Sequence, residues 1–347
     1  MWDVAIIGGG PAGASCAAFC AMAGRRTLLI ERANFPREKV CGDCLNPTAW
    51  AILQRLGVEA EVCAAPHAKL SRVDFIDLRG RTVSATLPTS EKAEISIRRS
   101  IFDQILLRRA QSLGTEVREG ETLLAIEQGI SFKIRTDHGE ESAQVLVAAD
   151  GRNSTVARLC NLMPRKGPNR VALQTHIPLP WDFGERIVLQ LLPEGYSGQA
   201  PVGDGLLNLC LVSRPDDLPQ VRRWAESTFT ISANHAWRSI TPLARPPMPA
   251  SRDSLFLVGD ASRVVEPFTG EGIYYALRTG ELAAEAILAG NHRQYALAHR
   301  RLYGGRLWIN ALARRAVEHP SLTTRVLRFL PNEKRVLELL TRKVVQP

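Results

Sequence analysis

Apolar positions in this chain follow three rhythms. Residues 3–7 and 27–30 are short, almost unbroken apolar runs, as in strands buried on both faces, and the Ala- and Cys-rich stretch between them, to residue 23, reads as a helix. They predict a βαβ unit at the start of the chain. Residues 70–87 alternate apolar and polar side chains around Arg79-Gly80, which predicts a hairpin. Period two returns over 170–212, with turns at Pro193-Glu194-Gly195 and Gly203-Asp204-Gly205. Residues 46–56 and 100–113 read as helices ended by Gly57 and Gly114. Further strands are expected within 115–135, at 144–149 and at 254–258, with mostly helix after Gly270. The predicted class is α/β, a parallel βαβ core interrupted twice by a second β-sheet domain and followed by C-terminal helices.

The turn between the first strand and its helix carries chemistry. In Gly8-Gly9-Gly10-Pro11-Ala12-Gly13, the residues Gly8, Gly10 and Gly13 satisfy a GxGxxG spacing. Glycine at these places allows a tight turn, backbone approach to a pyrophosphate, and close helix–strand packing. Pro11 and Ala12 open the helix, whose free N–H groups and positive dipole end attract phosphate. Glu31 ends the second strand, where a carboxylate can accept from an adenosine ribose, and Arg32 follows it. These residues point to an adenine dinucleotide in a Rossmann-type domain and leave FAD and NAD open.

Three distant segments resemble the FAD-dependent monooxygenases of the p-hydroxybenzoate hydroxylase superfamily and the related geranylgeranyl reductases. Arg99-Ser100-Ile101-Phe102-Asp103 is similar to that family's R-x-x-F-D helix start, whose arginine lies near the flavin diphosphate. Asp150-Gly151 resembles its D-G motif, and Gly259-Asp260 its G-D motif, whose aspartate binds the ribityl chain. The resemblance spans roughly residues 1–290 and implies FAD as cofactor, with NAD(P)H as a transient reductant. It also implies a discontinuous FAD-binding domain (1–68, 95–165 and 250–290), a substrate-binding sheet domain (69–94 and 166–249), and a helical region at 291–347. Within 266–281, Gly270 shapes a loop, and Gly272 and Ile273 open a long helix whose N-terminus would stabilise negative charge on reduced flavin.

The segment from Asn34 to Asp43 resembles the F-P-R-x-K-x-C-G stretch of the reductase branch, so Lys39 and Cys41 are expected beside the cofactor. Cys41 and Cys44 form C-x-x-C. No second Cys or His pair at zinc spacing accompanies it, and no metal is expected. The stretch containing Tyr196 is similar to the reductase pattern G-Y-x-W-x-F-P, except that Gly198 and Ala200 stand where bulky rings are usual. Gln174 and His176, two apart on one strand, share a face. With Tyr196 they are the candidates for catalysis or substrate positioning.

Composition narrows the setting. An apolar fraction of 45% and a charged fraction of 23% are those of an ordinary globular protein. The net charge of +9, concentrated in part after Arg293, reads as a solvated basic surface, and no nucleic-acid motif accompanies it. Seven cysteines without disulfide-framework spacing suggest a reducing, cytoplasmic setting. Leu302, Leu307, Trp308, Leu312, Val326, Leu327, Phe329 and Leu330 are interleaved with arginines and are expected to pack against the cofactor domain; peripheral contact with anionic membrane is the alternative. The function expected first is NAD(P)H-dependent hydroxylation of an apolar aromatic or polyketide-like molecule, with O2 captured as a flavin C4a-hydroperoxide. The alternatives are reduction of C=C bonds in an isoprenoid or quinone side chain, and flavin binding without turnover.

Overall fold

The computed structural model describes residues 1–90, 92–164, 170–305, 307–329 and 333–345. Among these residues the chain forms three sheets. In the first, Leu255–Leu257, Glu140–Ala148, Trp2–Ile7, Thr27–Glu31 and Glu116–Glu119 lie side by side and parallel. Trp2–Ile7 is buried on both faces. Val4 and Ile6 join the cluster under the cofactor-side helices, whereas Ala5 and Ile7 join the cluster on the opposite face. Val4, Ile6 and Ile7 each contribute on the order of 1.5–3 kcal/mol through burial. The strand expected at 144–149 begins earlier, at Glu140, because its outer half pairs with Phe132–Thr136 in an antiparallel ladder whose Phe132, Ile134 and Ala143 are buried in the core.

Helix Pro11–Met22 leaves the first strand and packs along helix Gly272–Leu288. The approach is close: a Cβ on Gly280 would strike Ser15 Oγ and the Ala12 carbonyl. Ser15 Oγ donates across the crossing to the Leu277 carbonyl at 3.2 Å. The helix expected over 46–56 is instead a 3-10 turn, Pro47–Ala49, followed by Trp50–Leu56. Asn46 accepts from the Thr48 N–H at 3.0 Å, and Gly57 ends the helix in the left-handed region.

The second sheet runs in the order Arg238–Ile240, Val171–Pro178, Leu206–Ser213, Gly195–Val202, Arg186–Leu192, Arg72–Ile76, Thr82–Thr86. It is antiparallel except where Arg186–Leu192 meets Arg72–Ile76. The hairpin read at 70–87 and the strands read over 170–212 therefore share one sheet. Helix Leu218–Thr228, which the sequence reading left out, covers one face by packing Val221 and Ala225 against Leu207, Leu209 and Leu211. The other face packs Ala172, Tyr196 and Val212 with Leu243, Phe268 and Val317. A small third sheet joins Cys44–Leu45, Ile95–Ser96 and Ala68–Lys69.

Helices His292–Gly304, Leu307–Glu318, Pro320–Phe329 and Glu333–Val345 complete the chain. Leu302 is half-buried against the core, but Leu307, Trp308, Leu312, Val326 and Phe329 are exposed. Leu330 lies outside the described residues. No helix among those described is long and apolar enough to cross a membrane.

Candidate functional site

The glycine loop has the geometry that its sequence implies. Gly8 has φ +108°, and a Cβ there would run into the backbone of Ala149 and Asp150. A Cβ on Gly13 would collide with the Gly8 carbonyl oxygen. Neither position admits another residue without moving backbone. Gly9 N–H donates to Glu31 Oε2 at 2.7 Å, and Ala33 N–H to Oε1 at 3.0 Å, so the carboxylate is held at the loop edge with lone pairs to spare. Arg32 beside it is exposed. The N–H groups of Ala12 and Gly13 lie in the first turn and have no carbonyl upstream within the helix.

Cationic side chains rim this turn. Arg37 reaches Gly10, where a Cβ would lie 3.5 Å from its guanidinium, and Arg37 pairs with Asp103 at 3.0 Å. Arg99 grips the same buried Asp103 with two hydrogen bonds of 2.7 Å. Lys39 Nζ approaches Gly151. Burial, reinforced by the neighbouring Arg99 charge, brings the Lys39 ammonium down to about 8. Asp103 anchors both arginines, and the quoted R-x-x-F-D motif contained it without a role assigned.

Asp150 Oδ2 caps helix Thr155–Leu159 by accepting from the Thr155 and Val156 N–H groups at 2.6 and 3.1 Å. Its Oδ1 is buried without a protein partner. Asp260 Oδ2 lies 2.9 Å from Arg152 Nη2. Burial works to raise the Asp260 carboxyl, but Arg152 and Lys39 outweigh it and hold it below the usual carboxylate range. Gly259 N–H is fixed by Thr279 Oγ1 at 2.8 Å. Gly270 turns the chain at φ +69° into Glu271, and helix Gly272–Leu288 opens beside it with Ile273 buried. The loop before it is held by Glu266, whose carboxylate pairs with Arg170 at 2.5 Å.

The structure brings two of the three catalytic candidates to a different task. Gln174 Nε2 donates to the Cys41 carbonyl at 2.9 Å, and Asn208 Nδ2 donates to the same oxygen at 2.9 Å. Cys210 Sγ makes a third approach at 3.2 Å. His176 Nε2 lies 2.9 Å from Oδ2 of Asp43, a fully buried residue with φ +59°. Gln174 and His176 thus share a face, as expected, and that face holds the Cys41 carbonyl and the Asp43 carboxylate. Neither lines the cavity. Tyr196 does line it, buried edge-on against Phe268 at 5.3 Å.

That cavity has a volume of 640 Å³. It is lined by Gly10, Lys39, Arg99, Gly151, Asp260 and Gly272 around the glycine loop, by Tyr196, Gly198, Ala200 and Phe268, and by Leu312, Leu322, Val326 and Leu340 of the C-terminal helices. Gly198 leaves real space, since a Cβ there would meet only Leu189 at 3.8 Å. Cys41, Cys44 and Cys210 also line the cavity, all as free thiols. Burial raises each of their pKa values. Glu94, which no sequence motif marked, lines it as well, and burial pushes its carboxyl up to about 8. No group of three or more His, Cys, Asp or Glu among the described residues stands close enough to hold a metal ion.

A loop that excludes Cβ atoms, an unpaired helix N-terminus, a cationic rim and a positioned carboxylate fit the diphosphate and ribose of a dinucleotide. The chain's similarities agree. The FAD binding domain family matches residues 1–182. Menaquinone reductase of Mycolicibacterium smegmatis is 30% identical over 324 residues, covering 85% of this chain and 78% of the relative. Digeranylgeranylglycerophospholipid reductase of Methanosphaerula palustris is 29% identical over 327 residues, covering 86% and 80%. The fold is shared with the flavin-dependent brominase Bmp2, at TM-score 0.78 and 22% identity over 98% of this chain and 93% of that one. The chain is a flavoprotein of the oxidoreductase class with FAD as its cofactor, and it belongs to the FAD-dependent monooxygenase superfamily, in the branch that holds the geranylgeranyl reductases.

Proposed function

We propose that this protein is a reductase that saturates carbon–carbon double bonds in the isoprenoid chain of a quinone or lipid. The observation that carries this reading is the cavity, which extends from the glycine loop to the helices of residues 307–341 and suits a long hydrocarbon better than a compact ring. The reductases among the relatives favour the same class. FAD, reduced by transiently bound NAD(P)H, supplies the hydride.

The chain's own residues supply binding and protons. Gly8, Gly10, Pro11, Ala12 and Gly13 hold the diphosphate with Arg37, Lys39 and Arg99, and the Asp150-Gly151 turn backs them. Glu31 would take the adenosine ribose with Arg32 flanking it, and Gly259 with Asp260 would take the ribityl chain. Gly270, Gly272 and Ile273 would offer a helix N-terminus to the ring system. Each saturation adds one hydride and one proton to the double bond. Burial keeps the Cys41, Cys44 and Cys210 thiols and the Glu94 carboxyl protonated at neutral pH, so protons are held at Sγ and Oε atoms along the cavity. The apolar walls exclude water.

Hydroxylation, the function expected first from sequence, becomes the second reading. Gly198 and Ala200 favour it, because they depart from the bulky pattern of the reductases and leave room for an aromatic substrate. Anaerobic reduction of the bound flavin by NAD(P)H, followed by an isoprenoid quinone, separates the two by product mass. A gain of two mass units that persists after the quinone ring is reoxidised in air supports saturation of the side chain; a gain of sixteen with an aromatic substrate after O2 is admitted supports hydroxylation and rejects the first reading. Failure of any reductant to reduce the flavin catalytically leaves the non-catalytic alternative.

A further inference from the structure

The chain's positive charge is segregated. Residues 291–347 carry 12 Lys and Arg against 3 Asp and Glu, and residues 1–290 carry 32 against 32. The whole excess of +9 therefore falls within residues 291–347, and residues 307–343 carry 8 Lys and Arg against 3 Asp and Glu. The helices there expose large apolar side chains: Trp308 is 49% exposed, Leu322 59%, Phe329 79% and Leu339 56%. Cations lie over these groups, with Arg328 5.6 Å above the Phe329 ring and Lys343 5.2 Å above that of Trp308. Basic and apolar groups thus share one surface, as in helices that rest in a lipid interface with their cations among headgroups.

We infer that helices Leu307–Glu318, Pro320–Phe329 and Glu333–Val345 form a docking surface for an anionic lipid bilayer, with the cavity opening inside the docked face. Leu312, Leu322, Val326 and Val336 are at once exposed and part of the cavity wall, so the opening and the apolar patch coincide. Charge selects this partner over a second copy of the chain, because two surfaces of the same strong positive sign repel. It also selects anionic over neutral lipid. A hydrocarbon chain leaving the bilayer here reaches the cofactor loop without crossing water. That last consequence rests on the cavity being the substrate site, whereas docking does not.

The test uses FAD-loaded full-length protein and co-sedimentation with vesicles of phosphatidylcholine alone or with a third phosphatidylglycerol. Binding is expected to be at least tenfold tighter to the anionic vesicles and to weaken as salt is raised. Leu322→Asp with Phe329→Asp should weaken it tenfold or more. Arg325→Gln with Arg328→Gln should weaken it and reduce the salt dependence, and unchanged flavin absorbance and unfolding midpoint will show that each variant is folded. Equal binding to both vesicle types, or wild-type binding by both double variants, overturns the inference. So does sedimentation velocity showing self-association through this face without vesicle binding. No turnover is measured, so failure here leaves the reductase reading standing, and a failed product assay leaves docking standing.

Discussion

The ammonium group of Lys39 sits among Arg99, Arg37, Asp260 and Asp103, and burial first, then Arg99, brings it down to about 8. An incoming diphosphate favours the charged form, so FAD affinity should hold below that pH and fall as pH rises through it. Lys39→Met should weaken FAD binding at neutral pH by on the order of tenfold, about 1.4 kcal/mol, and flatten the pH dependence, both read by titration calorimetry. Glu94 is shifted in the other direction, upward, and acts on stability. Its carboxyl moves from the ordinary 4.5 to about 8 through burial, so the folded chain keeps a proton that the unfolded chain releases in that window. Stability therefore falls as pH rises from 4.5 to 8, and Glu94→Gln should remove on the order of a few kcal/mol of that fall in urea titrations. Equal pH slopes in the two proteins would sink the assignment. Glu31, Lys39, Arg99 and Asp260 were legible because each stands in a motif of fixed spacing. Glu94 was not, since its significance comes wholly from the burial that packing imposes, and Arg37 gains meaning only through its distant partner Asp103.

At the scale of elements, the crossing of Pro11–Met22 with Gly272–Leu288 sets where both helix N-termini stand. Gly280→Ala puts a methyl into Ser15 and the Ala12 carbonyl, and overpacking of this kind costs about 1–3 kcal/mol. Urea unfolding should show that loss, with flavin released at lower denaturant than in the wild type; an unchanged midpoint would mean that the helices can part. The βαβ unit and the long hairpin were readable because one period ran through each. Helix Leu218–Thr228 also had a signal, Val221 with Trp224 and Ala225 at helical spacing, that went unread. The two-residue strands Cys44–Leu45, Ala68–Lys69 and Ile95–Ser96 are too short for any period, and they exist because distant segments meet. For Gln174 and His176 the alternation gave the shared face, but what that face touches depends on the fold of residues 41–43.

Across the whole molecule, the cofactor site proposed above draws on residues near 8–13, 31–43, 99, 150 and 260–273, so a bound FAD would tie together segments from most of the chain's length. Ligand binding to the folded state alone adds about 2.7 kcal/mol at a hundredfold excess over Kd. Removing FAD should therefore lower the unfolding midpoint by several degrees, and scanning calorimetry with and without added FAD checks it; equal midpoints would show that the site is not closed by the cofactor. Length and motif order made this assembly legible. The course of the cavity into the C-terminal helices was not, because Leu312, Leu322 and Leu340 read in sequence only as one side of amphipathic helices.

The grip on residue 41 falls on a peptide oxygen, which every amino acid carries. Three donors from the second sheet converge there, whereas the Cys41 thiol meets Arg99 and the Asp43 backbone. Placement and chemistry at this position are thus separable traits. Exchange of Cys41 for serine or alanine should leave the segment where it is and the flavin bound, so natural variation can rewrite what the position offers a substrate without first rebuilding the loop that presents it.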